Sequence, residues 1–365
     1  MSRPGPPVFD LTPGLVGVDR ACGAIHAFLA AGPIPSLLLA GPQGVGKRTV
    51  AIRLAQAANC RASSFRPCGQ CASCRSIAAL KHPDARLLFP ARRGSRAGGA
   101  ESDTADGTLA AIAEDTPDYL PGRPAPLVEA GQVIPIALIR WLRGETSRPP
   151  FSAPCRCFII LHAERMTTEA ANAFLKMLEE PQRATAFILT TSNPGMLLDT
   201  IRSRCRIIRF PAVPVTQVRE WLGNRVPPDQ AALAAELSDG SPGRALRFLD
   251  NPEDYLAPAA VEFLTHPRPD DKLVFETMSR LGDVPLATVT CSFLFVLSQL
   301  LRARHGISTS FAAASPGLAG LARAFPDDYL RRAIRYLTER LDETRFNTNR
   351  RLFLYTLLAS LRRPS

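Results

Sequence analysis

Short apolar runs alternate with stretches of helical periodicity over roughly the first 210 positions of the chain. Compact apolar runs are typical of strands buried in a parallel sheet, and the periodic stretches between them predict helices that cover it. The predicted strands are 36–40, 87–89, 157–161, 187–190 and 207–210. The clearest predicted helices are 19–31, 47–59 and one that Thr167 or Thr168 caps and Pro181 ends.

After Pro211 the strand signals stop, and helical patterns continue to the C-terminus with breaks near 240–243, 267–270 and 314–316. Residues 90–131 consist mainly of small and charged residues with little periodicity, which predicts a mobile insertion in a loop. The expected domains are an α/β domain over 1–211 with the insertion inside it, a small helical domain over 212–264 and an all-helical domain over 265–365.

A glycine-rich segment follows the first apolar run and precedes the helix at 47–59. Gly41, Gly44, Gly46 and Lys47 fit a Walker A loop, in which backbone N–H groups surround phosphates and the lysine reaches the outer ones. With a strand before it and a helix after it, this segment predicts a phosphate-loop fold. The intact loop and Lys47 allow ATP or ADP to bind.

Two parts of a hydrolytic site are missing from this loop and its neighbouring strand. Arg48 stands where a Ser or Thr hydroxyl would bind Mg²⁺, and Thr49 lies about 100° further around the helix. Leu161 and His162 stand where a Walker B strand carries its acidic pair, while Glu164 comes two residues later. We therefore expect that the chain does not hydrolyse ATP.

Four of the nine cysteines are clustered between the first helix after the loop and the second strand. Four thiolates satisfy tetrahedral Zn²⁺ and leave no open position for water, so the spacing predicts a structural zinc site. An iron–sulfur cluster is the alternative, although the chain has no further redox motif. The predicted ligands are Cys60, Cys68, Cys71 and Cys74.

Composition changes this picture little. The net charge of +11 favours an anionic partner such as nucleic acid, although an arginine-rich genome would produce the same charge. No apolar stretch is long enough to span a bilayer, and the first seven residues do not resemble a signal peptide. We expect a cytoplasmic protein without membrane contact.

Several motifs together resemble bacterial clamp-loader AAA+ subunits. They are the phosphate loop, the cysteine module at 67–74, His82-Pro83-Asp84, the segment 170–181 (AANAFLKMLEEP) and the segment 200–205 (TIRSRC). The resemblance extends over most of residues 10–250 and implies an AAA+ domain, a helical lid and a helical collar. Because the hydrolytic parts are missing, the chain resembles the delta-prime type of DNA polymerase III subunit more than the motor (gamma/tau) type, which stays the alternative within the family.

The resemblance implies roles that the residues alone do not establish. Arg204 corresponds to the arginine finger that reaches the ATP of a neighbouring subunit, the alternative being that it forms a solvated basic edge with Arg202, Arg206 and Arg209. Arg244 stands where related proteins contact their own nucleotide. The implied partners are motor subunits, the delta subunit, the sliding clamp and primed DNA.

Two other classes of function remain open at this point. A nucleic-acid-stimulated ATPase with a shifted metal site would depend on Thr49 and Glu164. A free-standing DNA-binding protein would explain the positive charge.

Overall fold

The computed structural model describes residues 8–31, 34–91, 104–124, 126, 128, 131–182, 184–250, 257–266, 269–281, 284, 286–307, 318–343 and 349–362. Contacts divide the chain into two compact units. The first comprises Met1–Val128, Gln132–Val218 and Gly240–Gly243, and the second comprises Glu129–Gly131, Arg219–Asp239 and Arg244–Ser365. None of the helices in the described part of the chain has the length and hydropathy that crossing a bilayer requires.

The first unit is a layered α/β structure. Its strands are β1 (Val8–Phe9), β2 (Leu37–Ala40), β3 (Phe65–Arg66), β4 (Ala85–Leu88), β5 (Arg156–Ile160), β6 (Thr185–Thr191) and β7 (Arg206–Arg209). Its helices are α1 (Asp19–Ala31), α2 (Lys47–Asn59), α3 (Ala72–Ala78), α4 (Ala105–Asp115), α5 (Ile136–Thr146), α6 (Thr168–Glu179), α7 (Asp199–Arg204) and α8 (Val215–Gly223), the last of which ends in the second unit.

Five parallel strands form the central sheet in the order β4-β5-β6-β2-β7. β2 lies between β6 and β7, with Leu37 opposite Ile188 on one side and Arg206 on the other. All residues of β2 and β5 are buried, as expected for strands that helices cover on both faces. The predicted phosphate-loop α/β domain, and with it the AAA+ class of fold, is confirmed.

The apolar runs locate each of the five strands to within about two residues. The predicted boundaries of α1 and α2 agree with the structure, and the side chain of Thr167 caps α6 by accepting a hydrogen bond from the Ala170 N–H. Phe89 lies just beyond β4 rather than inside it. These runs were informative because buried parallel strands need apolar residues on both faces.

Part of the predicted insertion at 90–131 forms regular structure, which the sequence pattern did not indicate. α4 begins after the Thr104 side chain, which accepts a hydrogen bond from the Gly107 N–H, and a 3₁₀-helix at Thr116–Tyr119 follows it. Ile112 and Tyr119 are buried in the core of the first unit. Residues 92–103 lie outside the described part of the chain, so the predicted mobility there stays a prediction.

The second unit is helical. Its helices are α9 (Pro228–Leu237), α10 (Pro242–Asp250), whose first two residues belong to the first unit, α11 (Ala257–Thr265), α12 (Asp271–Leu281), α13 (Leu286–Arg304), α14 (Leu318–Ala324), α15 (Asp327–Glu343) and α16 (Arg350–Ser360). They enclose a core that includes Phe293, Leu330 and Phe353. The predicted break near 240–243 overlaps the start of α10 at Pro242, the break at 267–270 falls between α11 and α12, and the third lies outside the described residues. The division into lid and collar at 264 stays a prediction.

Candidate functional site

The phosphate loop connects β2 to α2 and has the backbone that its glycines predict. Gly44 and Gly46 adopt positive φ angles of 80° and 96°, in the region that glycine tolerates without strain. A Cβ atom on Gly41 would lie 1.9 Å from the carbonyl oxygen of Phe210, so only glycine fits between β2 and the end of β7. The turn places the start of α2 at the carboxyl edge of the sheet, where open α/β folds bind ligands.

The segment Gly240–Gly243 packs directly on this loop, which sequence reasoning did not anticipate. The Ser241 hydroxyl donates to the Gln43 carbonyl at 2.7 Å, and the Gly243 N–H donates to the Gly44 carbonyl at 2.9 Å. A Cβ on Gly243 would lie 2.9 Å from the Gly44 Cα, so the contact requires glycine. Arg244, the next residue, lies half-buried on α10 in the second unit. Its contact with a nucleotide stays a prediction.

Lys47 is buried, and its ammonium group turns back onto the loop. The Nζ atom donates to the carbonyl oxygens of Gly41 and Pro42, both at 2.5 Å. Burial lowers the pKa of Lys47 to about 8, while the negative charge of Glu164 acts in the opposite direction. The loop therefore satisfies its own lysine with main-chain oxygens.

Arg48 and Thr49 occupy the first turn of α2. The Arg48 guanidinium donates through Nη2 to the carbonyl oxygen of Arg123 and, at 3.4 Å, to that of Leu120. Its Cζ lies 5.9 Å from the centre of the Tyr119 ring, and burial lowers its pKa to about 10. Thr49 is partly exposed in the same turn. A guanidinium carries only donors, so Arg48 cannot ligate Mg²⁺.

Glu164 follows the end of β5, on the same side of the fold as the phosphate-loop lysine. Leu161 is buried at the position of the first acidic residue, and His162 adopts a left-handed conformation with φ of 52°. The carboxylate of Glu164, two residues later, is close enough to Lys47 for its charge to raise the lysine pKa. That Glu164 serves a shifted metal site, as the alternative ATPase function requires, stays a prediction.

Glu164 is held between the ends of β5 and β6. Its Oε1 accepts hydrogen bonds from the Ser192 N–H at 3.2 Å and the Ser192 hydroxyl at 2.7 Å, and lies 3.8 Å from His162 Nδ1. Burial alone would raise the pKa of Glu164, but His162 and the Ser192 hydrogen bonds outweigh it and lower the pKa to about 2. The side chain is only 6% exposed, so the site contains one buried carboxylate.

The four clustered cysteines lie together as predicted. Within the described residues they form one group, with all four Sγ atoms within 4.8 Å of one another. Backbone N–H groups point at the sulfurs, from Cys68 to Cys60 Sγ at 3.4 Å and from Cys71 to Cys68 Sγ at 3.3 Å. Such N–H donors stabilise thiolates, and four thiolates at this separation fit one tetrahedral ion. The geometry is compatible with a structural zinc site.

Hydrogen bonding also favours the ionised form of one of these cysteines. Burial opposes ionisation of the Cys71 thiol, yet backbone hydrogen bonds from Arg61 and Cys74 lower its pKa to about 6. His82, just beyond the module, accepts a hydrogen bond from the Asp84 N–H through Nδ1 and belongs to the predicted turn.

Arg204 lies at the C-terminus of α7 with its side chain about one third exposed. Its Nη2 is 2.7 Å from Oε1 of Glu179 at the end of α6, and its Nη1 donates to the Thr200 carbonyl at 3.1 Å. The neighbouring Arg202 pairs with Asp199 instead. The guanidinium of Arg204 thus has two defined contacts within the chain, one on α7 itself and one on α6, while about a third of the side chain is exposed.

Comparison with known proteins decides the family. A family model described as "DNA polymerase III, delta subunit" matches residues 27–214, which include the phosphate loop, the cysteine module and Arg204. The chain belongs to this family. The resemblance that the motifs indicated is confirmed.

Curated relatives agree with this assignment. DNA polymerase III subunit delta' of Bacillus subtilis is 30% identical over 203 residues, covering 55% of this chain and 50% of that protein. The Pseudomonas aeruginosa subunit delta' is 31% identical, with coverages of 58% and 54%. Subunit gamma/tau of Mycobacterium tuberculosis is 29% identical over 286 residues, covering 76% of this chain and 42% of that protein. The chain spans about half the length of the curated relatives it matches.

Among solved structures, a gamma subunit-related protein of Thermotoga maritima aligns with 94% of this chain and 99% of its own, at 17% identity and a TM-score of 0.44.

Proposed function

We propose that this chain is a non-hydrolysing, delta-prime-type subunit of a bacterial DNA polymerase III clamp loader. The observation that carries the proposal is the loss of both Mg²⁺-binding positions, at Arg48 and Leu161, in a chain that presents Arg204 at its surface. Its partners are the motor (gamma/tau) subunits and the delta subunit and, through the complex, the sliding clamp and primed DNA. The complex acts in the cytoplasm.

In this proposal the chemistry of the chain is electrostatic and directed at another subunit. A guanidinium brought to a neighbouring ATP stabilises the charge that spreads over the transferred phosphoryl group. Glu179 and Thr200 contact the guanidinium within the chain itself, and because these contacts are exposed and therefore weak, the side chain can exchange them for the phosphates of a neighbouring nucleotide. No proton transfer by this chain is required.

The cysteine module has a structural part in the proposal. Cys60, Cys68, Cys71 and Cys74 would hold one Zn²⁺ without an open coordination position, so the ion stabilises the fold and does no chemistry.

The decisive experiment replaces Arg204 in a complex reconstituted from all of its subunits. We expect Arg204→Ala to reduce clamp loading and DNA-stimulated ATP hydrolysis at least about tenfold, because an arginine finger supplies a large share of transition-state stabilisation. Arg204→Lys keeps the charge but loses the planar fork, and we expect an intermediate rate. Gel filtration checks that each variant still assembles.

Arg202 provides a matched control, since it lies on the same helix, is similarly exposed and also pairs with a carboxylate. Arg202→Ala should leave the loading rate within about twofold of the unmodified complex. An assembled Arg204→Ala complex that loads clamps at the normal rate would refute the proposed role of Arg204.

A motor-like function is the second candidate, and the position of Glu164 favours it. This buried carboxylate lies near Lys47 and could serve in place of the missing acidic pair. The candidate requires ATP turnover by the chain itself, with or without nucleic acid.

A further inference from the structure

The folded part of the insertion lies against the carboxyl edge of the central sheet. The Tyr119 ring stacks on Phe89 with 3.9 Å between ring centres, and Phe89 directly follows the carboxyl end of β4. Tyr119 is 3% exposed, and α4 packs against α5. Parallel α/β sheets bind their ligands beyond this edge. The insertion therefore packs in the region where such a fold receives a ligand.

Arg48 ties the insertion to the phosphate-loop helix. Its guanidinium donates to the carbonyl oxygens of Leu120 and Arg123 and lies beside the Tyr119 ring. Removing a guanidinium from water is costly, as the lowered pKa of Arg48 also indicates. The carbonyl oxygens, which accept from Nη2, and the aromatic ring offset part of that cost, while Nη1 is buried without a hydrogen-bond partner among the described residues. These contacts connect positions more than 70 residues apart in the sequence.

The contacts of Arg48 with the insertion lie on the side of the loop where a complete Walker A motif binds Mg²⁺. In a complete Walker A loop the residue at position 48 directs its hydroxyl towards the Mg²⁺ that accompanies the nucleotide phosphates. In this chain the Arg48 side chain at that position donates instead to main-chain oxygens of the insertion. The adjacent Lys47, which would reach the outer phosphates, donates to Gly41 and Pro42 instead. Both cationic side chains of the loop have internal acceptors.

We propose that residues 116–123 are an internal cover of the phosphate loop, held in place by Arg48, and that this cover opposes binding of Mg²⁺–nucleotide. Arg48, which stands in the place of the Mg²⁺ ligand, thus anchors the chain's own insertion at the loop. The inference goes beyond the proposed function, which requires only that ATP is not hydrolysed and allows it to bind. It is also independent of the role of Arg204.

The test compares Arg48→Ser and Arg48→Ala with the unmodified full-length chain in two measurements. Serine cannot reach the carbonyls, so we expect faster backbone hydrogen exchange in peptides spanning 112–124. Because a serine at position 48 could itself ligate Mg²⁺, affinity is measured in Arg48→Ala, in which opening the cover should strengthen binding of a fluorescent ATP analogue with Mg²⁺ at least about fivefold as the binding-competent fraction rises. ATP hydrolysis should stay absent, since Leu161 is unchanged.

Arg53 supplies a matched control on the same helix. It also donates to two backbone carbonyls, those of Leu11 at 2.8 Å and Pro13 at 2.5 Å, far from the insertion. Arg53→Ser should increase exchange around residues 10–13 and change neither exchange in 112–124 nor nucleotide affinity.

Tyr119→Ala tests the cover with Arg48 intact and remains informative if Arg48→Ser fails to fold. It should also raise both exchange in 112–124 and nucleotide affinity. Unchanged hydrogen exchange in a folded Arg48→Ser chain would contradict the proposal that Arg48 holds residues 116–123 in place. Two results would contradict the proposal that residues 116–123 oppose nucleotide binding. One is faster hydrogen exchange in 112–124 without a gain in nucleotide affinity, and the other is tight Mg²⁺–nucleotide binding by the unmodified chain.

Discussion

Asp84 illustrates how one buried side chain in this protein organises a distant loop. Its Oδ1 accepts the Phe151 N–H at 2.7 Å, and its Oδ2 accepts the Ser152 and Ala153 N–H groups at 2.8 and 3.1 Å. Arg156 lies 3.5 Å away on the first position of β5. A carboxylate with no exposed surface is stable in a protein only with such partners. Asp84 therefore fixes the entry of the chain into β5.

We predict that Asp84→Ala lowers the free energy of unfolding by about 3 kcal/mol, because three N–H groups and Arg156 lose their buried acceptor. Urea denaturation followed by circular dichroism measures the change. Asp199→Ala, which removes an exposed ion pair with Arg202, should cost less than about 0.5 kcal/mol. Equal losses for the two variants would contradict the role assigned to Asp84.

Asp84 should also make stability depend on pH in the acid range. Burial raises its pKa, but the hydrogen bonds from Phe151, Ser152 and Ala153 outweigh burial, so the pKa lies below the ordinary 3.8. A lowered pKa in the folded state contributes stability above pH 3.8 that is lost as the pH falls through the folded value. Unfolding free energies measured between pH 5 and pH 3 should fall less steeply in Asp84→Asn than in the unmodified chain.

For single residues, the sequence predicted which residue types occupy the turn and the metal-binding positions, but it did not predict which partners their side chains contact. The turn at His82-Pro83-Asp84 and the loss of the Mg²⁺ hydroxyl at Arg48 were visible from the residues. The partners of Asp84 and Arg48 were not, because they lie about 67 to 75 positions away along the chain. Side-chain hydrogen bonds to distant backbone leave no periodic signal.

At the scale of elements, strands and helices that face the sheet were predictable because their burial imposes a pattern. α4 was missed for the opposite reason. Its sequence is rich in alanine with a glycine in the first turn, and few of its residues are buried, among them Ile112. A helix that contributes so little apolar surface owes its stability to tertiary contacts, such as the stacking of Tyr119 on Phe89.

The cap of α6 gives a prediction at this scale. The Thr167 hydroxyl satisfies the Ala170 N–H, which is otherwise unpaired at the start of a helix. Thr167→Ala should destabilise the chain by about 1 kcal/mol in thermal or urea unfolding. Thr168→Ala, one position later and exposed, should have a much smaller effect. The reverse order would show that the cap is not the source of the stability.

The cysteine module is the second element that can be tested. β3 lies between Cys60 and Cys68 and pairs with β1, and the Asp10 N–H donates to the Arg66 carbonyl at 2.9 Å. Protein purified without added metal should contain about one equivalent of zinc. Chelation should increase hydrogen exchange in 60–74 and in β1 together, because the pairing of β1 depends on the position of β3.

Less than half an equivalent of zinc would contradict the metal assignment, and iron with visible absorption would support the cluster alternative. Chelation that left exchange in β1 unchanged would separate the metal from the strand pairing. Cys22, which is buried in the same unit but remote from the module, offers a control, since Cys22→Ala should not reduce the zinc content.

For the whole molecule, the central question is whether this chain turns over ATP or only assists subunits that do. The absence of the Mg²⁺-binding hydroxyl at Arg48 and of the acidic residue at Leu161 predicts no hydrolysis, whereas the carboxylate of Glu164 near Lys47 favours a motor. Composition does not decide this, because the net charge of +11 suits a clamp loader and a free DNA-binding protein equally.

We predict that the purified chain hydrolyses no ATP above background, with or without primed DNA. The reason is that Mg²⁺ would lack its hydroxyl ligand and the attacking water would lack its acidic partner. Lys47→Ala and Glu164→Gln should therefore leave the measured rate unchanged. A turnover that primed DNA stimulates and that both substitutions abolish would establish the motor function instead.

Gel filtration of the chain mixed with motor subunits distinguishes a clamp-loader subunit from a free-standing DNA-binding protein. Elution in one complex supports the clamp-loader assignment, and independent elution together with DNA binding would indicate a free-standing DNA-binding protein.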